Sequence, residues 1–320
     1  MIGGPYGAAG SARRPGTARG RGVTVKAGTD ERLASTGLAR RLLIRPELGA
    51  VVGAIVVFVF FASQSETFRS ANGVANWLDP ASTLGIMAVA IALLMIGGEF
   101  DLSAGVLTGT TGLITVILST RYGLPVWAAM LVALVAALLV GFLNGMIVVR
   151  TNLPSFIVTL GTFLMLQGIN LGVTKALTGT VQVGGLRRAE GYEQARAALA
   201  GTFTIGETDF RVAILWWLGV TALATWVLMR TRAGNWIFAV GGDDRAARAV
   251  GVPAERTKIA LFMTTATAAW LVGSILALRF TSVQANAGLG QEFVYIIAAV
   301  IGAACSPAGT APPSARPSEP

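Results

Sequence analysis

Two carboxylates stand where so apolar a chain can least hold them. The stretch Ile96-Gly97-Gly98-Glu99-Phe100-Asp101-Leu102-Ser103-Ala104-Gly105 joins two long uncharged runs with almost no linker. A carboxylate facing lipid at membrane depth is expensive, so Glu99 and Asp101 must face protein, water or a membrane surface. The glycines permit a sharp bend or a close helix approach. Two readings stand side by side here. One is a tight interfacial turn with solvated acids. The other is a broken helix lining a path for a polar solute, where irregular backbone is tolerated. On that second reading Glu99, Asp101 and Ser103 belong to the path. Asn144, Thr159, Thr162, Gln167 and Asn170 are then the amides and hydroxyls best placed to touch a hydroxylated solute. Gly141 and Gly145, and again Gly168 and Gly172, have the four-residue spacing that lets two helices touch along their backbones.

A second segment carries mechanism of another kind: Gly241-Gly242-Asp243-Asp244-Arg245-Ala246-Ala247-Arg248-Ala249-Val250-Gly251-Val252-Pro253. Asp243 suits a helix N-cap, Asp244 favours the positive end of the helix dipole, and Gly251 with Pro253 marks the stop. The helix so enclosed has about two turns, too few to be stable alone in water. Its small residues Ala246, Ala247, Ala249 and Val250 offer a knob for another protein's groove. That is the physical form of a coupling element, and an ordinary loop helix resting on the membrane surface is the plainer alternative.

Several chemistries lack their parts. The 320 residues contain no histidine, which removes the usual general base and the commonest metal ligand. One cysteine, Cys305, allows neither an intrachain disulfide nor a thiolate cluster. A Gly-x-x-x-x-Gly-Lys-Ser/Thr loop is missing as well, so an ATP-driven machine would need a separate motor subunit. We therefore assign no catalytic residue, metal or cofactor, and read the chain as a non-enzyme. The net charge of +9 does not point to nucleic acid. Its basic residues sit between apolar runs or in the amino-terminal tail, as the cytoplasmic segments of a membrane protein require.

The elements that must hold these segments follow from hydropathy. The composition is 53% hydrophobic and 13% charged, the balance of a polytopic membrane protein embedded in lipid. A charge at the bilayer centre costs roughly 2.5–3.5 kcal/mol, so uncharged runs of about 18 residues mark helices. Such runs lie between Glu47 and Glu66, Asp79 and Glu99, Asp101 and Arg121, Arg121 and Arg150, Arg150 and Lys175, Arg211 and Arg230, and Lys258 and Arg279. An eighth starts after Glu292 and gives way to a Pro/Ala/Ser tract after Cys305, leaving it short of a full span. The expected fold class is an all-α transmembrane helical bundle of about eight spans, the last incomplete. Residues 1–45 read as a disordered basic tail, 46–305 as the membrane domain and 306–320 as a disordered Pro/Ala-rich tail. Arginines and lysines concentrate before the first span and in the loop after the sixth, which places the amino terminus in the cytoplasm.

Taken together, four motifs resemble the permease subunits of bacterial ATP-binding cassette (ABC) importers of the ribose/xylose/galactose type. They are Gly97 to Ser103; Asn144-Gly145 ahead of Pro154-Ser155-Phe156-Ile157-Val158-Thr159-Leu160-Gly161-Thr162; Ala239 to Asp243 with Ala246-Ala247-Arg248; and Gly290-Gln291-Glu292-Phe293 with Ile296 to Gly302. The resemblance covers residues 48 to about 302. It implies an inner-membrane importer of a sugar, with a second permease copy (homodimer or heterodimer), two cytoplasmic ATPase subunits and a periplasmic solute-binding protein. It also implies that residues 239–251 form the helix pushed by the ATPase, and that the outer loop 177–211 meets the loaded binding protein. The family's chain continues beyond Gly302 through about two further spans, so the Pro/Ala tract suggests a truncated or frameshifted copy. Two other readings stand beside this one: a non-transporting remnant of such a permease, and an ion-coupled carrier, which should carry more ionisable residues inside its spans.

Overall fold

A computed structural model describes residues 46–304, with side chains over 52–302. The expected tails at 1–45 and 306–320 lie outside the described residues. The chain runs as helices α1 (Pro46–Gln64), α2 (Glu66–Arg69), α3 (Ala71–Ile96), α4 (Ser103–Arg121), α5 (Val126–Thr151) and α6 (Ser155–Thr178). Strand β1 (Gln182–Gly184), helix α7 (Tyr192–Leu199), and strands β2 (Thr202–Ile205) and β3 (Thr208–Arg211) come next. Helices α8 (Ala213–Arg230), α9 (Arg232–Gly242), α10 (Asp244–Ala249) and α11 (Ala254–Phe280), strand β4 (Ser282–Gln284) and helix α12 (Gln291–Ala304) complete it.

The fold is an all-α polytopic bundle. Among the described residues six helices, α3, α4, α5, α6, α8 and α11, are long and apolar enough to cross a membrane. The first expected run forms the 19-residue helix α1, and the eighth forms the 14-residue helix α12. Charge-to-charge measurement cuts two spans short. Asp79 lies inside α3, and Lys258 and Arg279 lie inside α11, because each meets an opposite charge within the bundle. The spans therefore carry ionisable residues that hydropathy alone places outside them.

α4 is the central helix: every residue from Asp101 to Leu113 is buried. Its threonines satisfy themselves locally, Thr108 on the Gly105 carbonyl, Thr110 on Val106 and Thr115 on Thr111. α5, α6 and α8 are apolar yet largely exposed, as helices facing lipid must be. Gly141 and Gly145 do seat α5 on α11: a Cβ at either would press on Phe262, Met263 or Ile259. Gly168 and Gly172, expected to do the same for α6, have open space around them, since that face of α6 points away from the bundle.

The two ends of the bundle are distinct. One gathers the α3–α4 turn, the α5–α6 turn, and helices α9 and α10. The other gathers residues 179–211 and 281–290, where β1 pairs antiparallel with β4 and β2 with β3. Here the Val126 N–H donates to the Glu190 carbonyl at 2.9 Å, and the Tyr192 hydroxyl to the Leu278 carbonyl at 2.9 Å. In sequence this end shows only as a loop, because its strands are too short to display a period.

Candidate functional site

The α3–α4 turn is held from two sides. Gly97 caps α3, and Gly98 adopts a φ of 84°, a left-handed conformation that glycine enters without a Cβ penalty. The chain then reverses with two backbone donors outside any helix. Ser155 and Thr159, one turn apart at the start of α6, accept them: Phe100 N–H to Ser155 Oγ at 3.0 Å, and Leu102 N–H to Thr159 Oγ1 at 3.1 Å.

Behind the turn runs a directed chain of side-chain hydrogen bonds. The Thr162 hydroxyl donates to Asn144 Oδ1 at 2.6 Å, and the Asn144 amide donates to Ser103 Oγ at 3.0 Å. Ser103 in turn donates its hydroxyl to Asp101 Oδ1 at 2.6 Å and its N–H to the same oxygen at 2.8 Å. Four of the sequence-derived path residues therefore meet in one network joining α4, α5 and α6. Asp101 is 1% exposed. Burial pushes its carboxyl up to about 6, against hydrogen bonds from Ser103 and the Ala104 N–H that pull it down. Asn170 is buried further along α6 and donates to Thr110 Oγ1 at 3.0 Å, while Gln167 is half-buried and joins neither group.

Glu99 points the other way. Its Oε1 lies 2.7 Å from Lys258 Nζ, and the same ammonium stands 3.7 Å from Asp244 Oδ2 in α10. Asp244 also meets Arg248 at 3.1 Å, and Arg248 reaches Glu255 at 3.4 Å. A row of alternating charge thus joins the α3–α4 turn to the short helix. Beside it the backbones touch: a Cβ at Gly241 would fall onto the Ile96 carbonyl oxygen. Only glycine lets α9 approach the turn so closely.

α10 has the expected form. Asp243 Oδ1 accepts from Arg245 N–H at 2.9 Å and Ala246 N–H at 3.0 Å, and Gly251 takes a φ of 85°. It does not stand unaided, however. Ala247 is buried against Val240 and Ala254, so it is not available to another protein's groove. The outward surface includes Gly242, Asp243, Arg245, Ala246, Arg248, Ala249 and the 79%-exposed Val250. The preceding helix α9, capped by Thr231 on the Gly234 N–H, is not foreseen from sequence. Thr231 three residues before Gly234 was its signal, masked by the glycine-rich composition.

These turn and helix motifs all lie within residues 73–315, the part matched by the family model described as branched-chain amino acid transport system / permease component. The chain belongs to this permease family. The ribose import permease protein RbsC of Escherichia coli (strain K12) is 30% identical over 259 residues, covering 80% of this chain and 77% of that protein. The xylose transport system permease protein XylH of the same organism is 31% identical, covering 79% and 77%. The xylose/arabinose import permease protein XylH of Sulfolobus acidocaldarius is 30% identical, covering 78% and 67%. No solved structure matches the chain. The permease is a multi-pass membrane protein of a transport family, not an enzyme.

Proposed function

We propose that this permease is the membrane-spanning subunit of an ABC importer for a monosaccharide, driven by separate ATPase subunits. The observation that carries the reading is the seat of α10. A helix of six residues projects an exposed face at one end of the bundle, and its charged side is tied through Lys258 to a turn buried between the spans. A push on α10 is thereby delivered to Glu99 and, through the rigid turn, to the Asp101–Ser103–Asn144–Thr162 network. Pathway residues act on this reading by holding the α3–α4 turn in shape, with Gln167, Asn170 and Thr159 continuing the polar stripe along α6.

The ATPases dock on the face bearing Arg245, Ala246 and Val250, with the coupling set Gly241 to Arg248 and Gly251 framing it. That end is cytoplasmic, in keeping with the basic residues Arg230, Arg232, Arg245, Arg248 and Arg256 around it. The opposite end receives the solute-binding protein at residues 177–211, and a second permease copy completes the translocating unit. The names of the sugar-import relatives support a pentose or a related sugar as solute.

Uptake of labelled ribose and xylose by cells carrying the permease with its neighbouring components tests this. Mutation of the ATPase catalytic residue should stop uptake, whereas collapse of the proton gradient should not. The docking face is tested by Val250→Asp with Arg245→Glu, exposed positions whose loss leaves the fold intact. We expect ATPase co-purification to fall sharply. A transporter that assembles and imports as before refutes the coupling role of α10.

A further inference from the structure

At the end of the bundle away from α10, a polar cleft of about 350 Å³ opens between the start of α3 and the β2–β3 hairpin. Its volume falls within the roughly 300–1,000 Å³ of small-molecule sites. We propose that it is a receiving site for the hydroxylated solute, an inference that rests on the sugar-importer reading above and extends it to named residues.

The chemistry of the walls makes the case. Asn72, Asn76 and Asp79 project from successive turns of α3, and Glu207, Asp209 and Arg211 face them from the hairpin. Ala75, the small residue between the two asparagines, leaves room at the base. Amides, carboxylates and a guanidinium are the groups that clasp vicinal hydroxyls, because each offers two donors or acceptors in one plane. Asp79 and Arg211 are engaged with each other, and Asp209 accepts from the Thr204 hydroxyl at 2.6 Å. Among the described residues, by contrast, no hydrogen bond within the chain engages the side chains of Asn72, Asn76 or Glu207, which are left to meet a ligand. Pro80 stands one residue beyond Asp79 in the same helix. It has no N–H for the Asn76 carbonyl, which is left without its helical partner on the same turn.

The floor is rigid. Asp79 is 7% exposed and forms a two-pronged ion pair with Arg279 of α11, and Arg211 approaches the same carboxylate to 3.6 Å. This triad fixes the hairpin against the bundle, so the cleft exists before any ligand arrives. A second cavity of about 240 Å³ begins at the next residue of α3 and is lined by Pro80, Thr83, Thr108 and Tyr295. The cleft therefore lies beside further space within the bundle.

The test uses the full chain in lipid nanodiscs, without ATPase, binding protein or ATP. Saturation-transfer NMR and titration calorimetry with D-ribose and D-xylose read direct binding, and calcium chloride serves as the competing probe. We expect saturable sugar binding in the millimolar range that calcium does not displace. Asn76→Leu should weaken it about tenfold, the effect of removing one well-placed hydrogen-bonding pair. Should Asn76→Leu melt early, Asn72→Ala, at an exposed side chain with no partner to lose, reads the same wall. No sugar binding to the wild type, unchanged binding in the stable variant, or binding of calcium alone overturns the proposal. If ATP-driven uptake persists while sugar binding is absent, only this site falls. Loss of ATP-driven sugar uptake sinks the reading beneath it.

Discussion

Replacing Lys258 by methionine isolates what the buried ion pair at the α3–α4 turn contributes. Methionine keeps the apolar stem and removes an ammonium 2.7 Å from Glu99 and 3.7 Å from Asp244. At an effective dielectric of about 20, a charge pair at that shorter distance attracts by roughly 6 kcal/mol, and desolvation cancels much of it. Removing one partner from a buried pair costs about 3–5 kcal/mol, since the other charge stays behind without compensation. Here the side chains of Lys258 and Glu99 are 16% and 9% exposed, so some water reaches the site. We therefore expect Lys258→Met to lose about 2–3 kcal/mol, and Glu99→Gln a similar amount. The double variant leaves no stranded charge and should lie within about 1 kcal/mol of wild type, a coupling energy of about 3 kcal/mol or more. Denaturant unfolding in a defined micelle, run on all four proteins, measures the cycle. Single variants each within about 0.5 kcal/mol of wild type, or losses that simply add, would refute the idea that this pair holds the turn to α11.

The same geometry yields four more expected outcomes. Gly241→Ala drives a methyl group onto the Ile96 carbonyl and should cost about 1–3 kcal/mol, whereas Gly242→Ala, with open space around it, should be neutral or slightly stabilising in thermal melts. Asn144→Leu removes the link between Ser103 and Thr162, leaving Thr162 only its longer bond to the Val158 carbonyl, and should cost about 1–2 kcal/mol in the same melts. Asp101 titrates near 6 when folded and near 3.8 when unfolded, so its protonated form favours the folded state. That stability is present in full below the unfolded value and is lost as pH rises through the folded one. Between about pH 4 and 6 the wild type should fall by on the order of 2–3 kcal/mol relative to Asp101→Asn, read by unfolding midpoints across pH. Gly145→Val should push α5 off α11 at Ile259 and Phe262, with a loss of about 2 kcal/mol or more, while Gly172→Val, on an open face, should leave stability within about 1 kcal/mol.

The amino-acid sequence determined those features that depend on one residue and its near neighbours. Long uncharged runs had to be helices in lipid, Asp243 had to cap the helix beginning at Asp244, and the Gly97–Ser103 stretch had to reverse the chain. Local chemistry suffices there, because the bilayer satisfies no backbone group and a cap needs only the next turn. Pairing between distant residues was a different matter. Nothing near Asp79 announces Arg279, two hundred positions away, and the rule that charges mark helix ends failed wherever such a partner existed. Likewise the spacing of Gly168 and Gly172 is the same as that of Gly141 and Gly145, yet only the latter pair meets another helix. Amino-acid spacing states what a helix face could pack against. Which faces turn inward, and which carboxylate finds its cation, is decided by the three-dimensional arrangement of α3, α4, α5 and α11, where burial makes an unpaired charge too costly to keep.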